Sequence, residues 1–292
     1  MRDLAIGWIA GGAYVVASTL VFVLGSSYYN LFRTNRSWLF KLALLGVSIP
    51  VAWVLLRSDG NPAFGLLAFG FLAASTANLA GAAVSRLHRP LKLKDDSIRG
   101  IALAKGLEAL AVVGVILVLA LIARVPFGSL YLRIGRWDLG LAIGLGGFAL
   151  FAVLAWQQGR SMGIEGRTVF RLLPWIRLFV FANAFMEELW FRAIFLRPLV
   201  TLVGPVAAIV LTAVVFTVAH VGATYLSKAE RIRFLAILLP LGLAWGASIY
   251  FTDSIIASTI FHAGADLMIV NGFIASLHRR RPESGNAQSG TE

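Results

Sequence analysis

The chain has no cysteine among its 292 residues, which excludes disulfides, thiolate metal ligands and a cysteine nucleophile but says little about compartment. Charge is scarce. Charged residues make up 14% of the sequence, against roughly 25% for a soluble domain of average composition. Acidic residues are the scarcer sign, 14 Asp and Glu against 26 Lys and Arg, and there are four histidines. The strict alternation of barrel strands is missing, which argues against a β-barrel. HExxH is absent, so no single helix supplies two zinc ligands and a base. GxSxG is absent too, and no serine pairs obviously with a base, which disfavours serine chemistry. No internal repeat of the transporter kind is visible.

What is abundant is apolar sequence. The chain is 59% hydrophobic with a mean hydropathy of +0.81, and continuous apolar runs of roughly 20 residues recur throughout. The fold class that follows is all-α, a polytopic membrane helical bundle of about nine transmembrane helices. The nine segments are approximately 5–26, 38–56, 62–84, 101–123, 138–156, 174–196, 199–223, 234–250 and 254–276; eight spans plus a re-entrant piece is the alternative. The first run is too long for a signal-peptide core and is read as a retained span.

Connection charges test the count. Sixteen Lys and Arg fall in connections 33–36, 86–99, 160–171, 228–233 and 279–281, against six (Arg2, Arg57, Arg124, Arg133, Arg136, Arg197) on the other side. That asymmetry puts the N-terminus outside and the C-terminus in the cytoplasm. The net charge of +12 is accounted for by these short, separated basic loops facing anionic lipid, so no nucleic-acid partner is expected. The tail RRRPESGNAQSGTE is polar and expected to be disordered. His88 and His278 lie in basic loop or terminal segments, where solvation is the default.

Ionisable residues at depth must be paired, neutralised or facing a cavity. Lys105 and Glu108 are three apart near the start of a span and read as a structural pair. In FANAFMEELWFRAIF (181–195), Glu188 and Arg192 are four apart and form an internal ion pair on one helical face. Glu187 is rotated by about 100° and is left over, with Asn183 one turn earlier on its own face. From this segment alone, a proton acceptor and a buried structural network are equally good readings. In AVVFTVAHVGATY, Phe216 and His220 are four apart, so the ring can restrict the imidazole. In STIFHAGADLMIV, His262 and Asp266 repeat that spacing, and a carboxylate there can orient the imidazole. Ala263, Gly264 and Ala265 leave room beside that face for a helix or water. Glutamate with two histidines can activate water directly or through a metal.

EELWFR (187–192), FTVAH (216–220) and HAGAD (262–266) fit EExxxR, FxxxH and HxxxN/B motifs in the order found in the CAAX protease and bacteriocin-processing family of intramembrane proteases, which includes the Ras-converting type of CAAX prenyl endopeptidase. The sequence resembles this family over approximately residues 174–276. The resemblance implies an intramembrane protease site in which Glu187 activates water and His220 helps hold it. Glu188 and Arg192 would support them, Phe216 would pack near His220, and His262 would help stabilise the oxyanion with the last motif position. That position is Asp266, where family members often have Asn. Asp266 can donate to an oxyanion only when protonated, and it can alternatively share a proton with Glu187, orient His262 or ligate a metal.

The family pattern suits either a metal such as zinc on His220, His262 and Glu187 or a glutamate-activated water without metal. The second is preferred because Glu187 cannot easily be both ligand and base. Expected partners are membrane lipid and a peptide or lipid-modified protein substrate. The competing functions are a proton-coupled transporter and a non-catalytic membrane scaffold or immunity protein of the same fold. The domain reading is 1–157 as accessory helices, 158–277 as catalytic core and 278–292 as a polar cytoplasmic tail. One geometric difficulty follows from counting 1.5 Å per residue. Glu187 falls near mid-membrane and His220 near the cytoplasmic end of its span, so the spans must tilt or break, or the boundary at 197–205 must move.

Overall fold

The computed structural model describes residues 2–24, 37–57, 61–88, 90–91, 93, 97–222 and 228–280. The expected disordered tail from Arg281 onward lies outside them, as do Arg33, Arg36, Arg89, Lys92 and Lys94 from the charge count and the side chain of His278. The described residues form ten α-helices. They are α1 (Arg2–Ser18), α2 (Ser37–Arg57), α3 (Pro62–Leu87), α4 (Ile98–Ile122), α5 (Trp137–Ser161), α6 (Gly166–Glu187), α7 (Ile194–Val203), α8 (Pro205–Ala219), α9 (Lys228–Thr252) and α10 (Ile255–Arg280). Thr19–Leu24 and Glu188–Ala193 continue α1 and α6 as wider π-turns.

The ends obey local chemistry. Asn61 caps α3, its Oδ1 accepting from the Ala63 N–H at 2.9 Å, with Pro62 in the first turn where a missing N–H costs nothing. Ser97 caps α4 through the Gly100 N–H at 3.1 Å. Between α7 and α8, Gly204 takes φ +81°, and Pro205 opens the next helix. Only glycine adopts that backbone without strain.

Among the described residues seven helices are long and apolar enough to cross a membrane, so the chain is a multi-pass helical membrane protein. The expected nine segments are all helical, but two are shorter apolar helices, Leu39–Val54 and Pro205–Ala219. The sixth and seventh boundaries also move. Instead of ending near 196, the sixth runs on as one apolar stretch of 38 residues, Gly166–Val203, and the chain reverses at Gly204. The seventh is correspondingly short, 15 residues from Pro205 to Ala219.

This shift resolves the depth problem. From Glu187 to Val203 the chain climbs about 24 Å, and α8 then descends about 22 Å, so His220 returns to the level of Glu187. A second register is set at the far end of the bundle. Asp253, in the α9–α10 turn at φ +53°, accepts from Arg197 at 2.6 Å and pairs with Arg133. Arg197 lies ten residues beyond Glu187 and Asp253 nine before His262, so this latch holds the two site residues at one depth.

Two apolar cores fill the bundle. One joins α1, α3, α4, α7, α8 and α9 through Tyr14, Phe69, Val112, Phe195, Phe216 and Trp245; the other joins α4, α6 and α10 through Ala102, Ile176, Phe179, Ala263 and Ile274. Of the two options for the small residues beside His262, a helix takes the space. A Cβ on Gly264 would stand 2.6 Å from the Phe148 Cα of α5. His88 departs from the solvated expectation: it is 4% exposed, at the end of α3 where the Leu93 N–H bonds back to its carbonyl at 2.8 Å.

Candidate active site

Four elements converge at mid-bundle: the end of α6 with its π-turn, the end of α8, α9 and α10. The π-turn starts at Glu188, directly after Glu187, and such wide turns recur where a helix must aim side chains differently on either side of one point. Glu188 and Arg192 form the expected pair, Oε1 to Nη1 2.6 Å, with both side chains 0% exposed. The carboxylate carries more than that pair. His262 Nδ1 lies 2.7 Å from Glu188 Oε1, and the Ser258 hydroxyl donates to Oε2. Glu188 is thus a buried acceptor with three donors from two helices.

Arg192 is held from its faces as well, its guanidinium carbon 4.2 Å above the Phe216 ring and 5.2 Å from that of Trp245. Trp245 also stacks on His262 at 3.9 Å with an interplanar angle of 13°. These contacts clamp the imidazole in one plane.

The two histidines share a logic. An ionised carboxylate only accepts, so His262 Nδ1 is the donor to Glu188. His220 Nδ1 lies 2.8 Å from the Phe216 carbonyl, which also only accepts. Both rings therefore spend Nδ1–H on a fixed partner and turn Nε2 into the site. Phe216 additionally packs on His220 with ring centroids 4.4 Å apart, as the spacing predicts.

Both Nε2 atoms face one oxygen. Glu187 Oε2 is 3.9 Å from His220 Nε2 and 3.7 Å from His262 Nε2. These separations are too long for direct hydrogen bonds and suit an intervening water. Glu187 and His220 are also the accessible edge, their side chains 13% and 22% exposed, whereas His262 is 4%. A fully sealed brace thus stands behind two partly exposed groups.

The distances separate the options for Asp266 and give Asn183 its partner. Asp266 does not orient His262: its Oδ1 is 3.7 Å from Nε2, while Glu188 holds Nδ1. Asn183, on the helical face of Glu187, donates its amide to Asp266 Oδ2 at 3.0 Å. Asp266 thereby has one oxygen secured and the other turned toward the edge of His262 that Glu187 faces. Lys105 and Glu108 pair with each other at 2.8 Å, as expected. Two site residues escaped the sequence reading. Ser258 precedes His262 by one helical turn, a legible signal. Trp245 belongs to a separate helix and no spacing announces it.

Two imidazole Nε2 atoms and a carboxylate are donors that zinc accepts. Among the described residues, however, no group of three His, Asp or Glu side chains is spaced to hold a metal.

Fold and site together define a polytopic helical membrane protein with a Glu–His–His–Asp cluster sealed on one side and accessible on the other. Residues 169–268 match the family described as type II CAAX prenyl endopeptidase Rce1-like, so membership of the Rce1-like CAAX protease family holds over that part of the chain. No curated protein and no solved structure matches the chain.

Proposed function

We propose that the chain is an intramembrane endopeptidase that hydrolyses a peptide bond near the membrane surface, with C-terminal processing of prenylated CAAX-type or other membrane-associated proteins as its substrate class. The observation that carries this reading is the convergence of two imidazole Nε2 atoms on Glu187 Oε2 at 3.7 and 3.9 Å, with both Nδ1 atoms already committed.

In this mechanism a water lies between Glu187 and the Nε2 lone pair of His220. Glu187 takes its proton as the oxygen attacks the scissile carbonyl carbon. The carbonyl π-electrons move to the oxygen, and His262, as imidazolium, donates Nε2–H to that oxyanion. A protonated Asp266 is the second donor on the same edge. Collapse of the intermediate breaks the C–N bond, and Glu187 returns its proton to the leaving amine. Glu188, Arg192, Ser258 and Trp245 position His262 and do not touch substrate. Water activation needs no metal in this scheme, because Glu187 is the base and therefore not a ligand. The topology that suits it has the N-terminus outside and the C-terminus in the cytoplasm, with Glu187 reached from the basic side.

The test is cleavage of farnesylated and unmodified peptide panels by purified protein, with and without chelator. Wild type is expected to cleave in both conditions, and Glu187→Gln to lose about 100-fold or more while its gel-filtration profile is unchanged. A folded wild type that cleaves no peptide would sink the proposal in favour of a scaffold, and loss of cleavage on chelation would return Glu187 to the role of ligand.

A further inference from the structure

An apolar cleft opens sideways between α5, α6 and α10, away from the Glu188 brace. Its volume is about 330 Å³, at the lower end of small-ligand pockets. Phe148, Val180, Leu267 and Val270 line its wall, Trp156 and Phe181 its outer part; the last two are exposed. Its one amide, Asn271, is already spent on the Ala155 carbonyl at 2.6 Å and on Gln158 at 3.2 Å. The wall is therefore mostly apolar and suited to a hydrocarbon chain.

Arg160 and Arg177 also line this cleft. Both are exposed, and among the described residues neither guanidinium group has an ion-pair or hydrogen-bond partner. Their depth says what they meet. Arg177 and Arg197 lie twenty positions apart on one helical stretch, about 30 Å, which equals the hydrocarbon thickness of a bilayer. Arg197 is latched to Asp253 at one boundary, so Arg177 falls at the opposite boundary, among lipid headgroups. Arg160, in the last turn of α5, is on the same side. Two unpaired guanidinium groups at phosphate level, over an apolar slot reaching toward the bilayer interior, are complementary to an anionic amphiphile.

We infer that this cleft binds one anionic phospholipid, its phosphate held by Arg160 and Arg177 and one acyl chain lying along Phe148, Val180 and Leu267. The site is independent of the proposed peptidase chemistry, although Leu267 adjoins Asp266 in sequence and the lipid would buttress that side of α10.

Native mass spectrometry of full-length protein released from mixed phosphatidylglycerol and phosphatidylcholine micelles tests this. Wild type is expected to retain one phosphatidylglycerol and to release phosphatidylcholine. The Arg160→Gln/Arg177→Gln variant should lose retention roughly tenfold or more, while Arg136→Gln, outside the cleft, should not. Ala152→Trp, which fills the slot with both arginines intact, should also expel the lipid and covers the case in which the arginine variant fails to fold. Equal retention of the two lipids by wild type, or undiminished phosphatidylglycerol in Ala152→Trp, would overturn the inference. So would displacement of phosphatidylglycerol by a farnesylated peptide, which would make the cleft a substrate path.

Discussion

At the scale of the residue, Glu188 organises the site without reaching the substrate. It accepts from Arg192, His262 and Ser258, and a buried carboxylate so placed is costly to orphan. Arg192→Met should therefore destabilise the protein by about 3–5 kcal/mol, seen as a lowered midpoint of thermal unfolding in detergent. Adding Glu188→Gln should recover part of that loss, because the two residues form one unit. The Glu188–Arg192 and Phe216–His220 pairs were legible from spacing, since four residues on a helix bring side chains together whatever surrounds them. The partner of Asn183 was not legible, for a related reason. Spacing places it on the face of Glu187 but cannot reveal that Asp266, on another helix, claims its amide.

At the scale of the element, the decisive features are a wide turn and a short helix. The π-turn at Glu188–Ala193 holds one residue more than an α-helical path would need. Deleting Leu189 should close the wide turn into an α-turn and change where Glu188 and Arg192 point relative to each other. Cleavage is then expected to fall to background, read against gel-filtration behaviour to separate misaimed from unfolded protein. Apolar runs announced where helices lie, because in lipid a backbone without internal hydrogen bonds is untenable. Their ends were less legible. Residues 197–205 are apolar on both sides of the reversal, and Gly204 with Pro205 was the only local mark of it.

At the scale of the molecule, the Arg197–Asp253–Arg133 latch and the descent of α8 bring Glu187, His220 and His262 to one depth. Sidedness remains an expectation from sixteen basic residues against six, and the absence of cysteine makes it directly measurable. Ser284→Cys should be labelled by an impermeant maleimide only after the cytoplasmic face is opened, and Ser58→Cys in intact cells. Labelling of Ser58→Cys from the cytoplasmic side instead would show that α2 does not cross, and would remove the count of nine.

By itself the sequence determined a helical membrane bundle and the local pairs within it, because bilayer burial and the helical repeat act on neighbouring residues regardless of fold. It also carried the three motifs of the proposed site. Tertiary structure alone decided which partners those motifs face: Glu188 rather than Asp266 behind His262, Trp245 over its ring, and His220 lowered to the level of Glu187. Each depends on the depth and rotation of helices distant in sequence. Those quantities come from packing, the latch at Asp253 and the reversal at Gly204, and not from any periodicity within one helix.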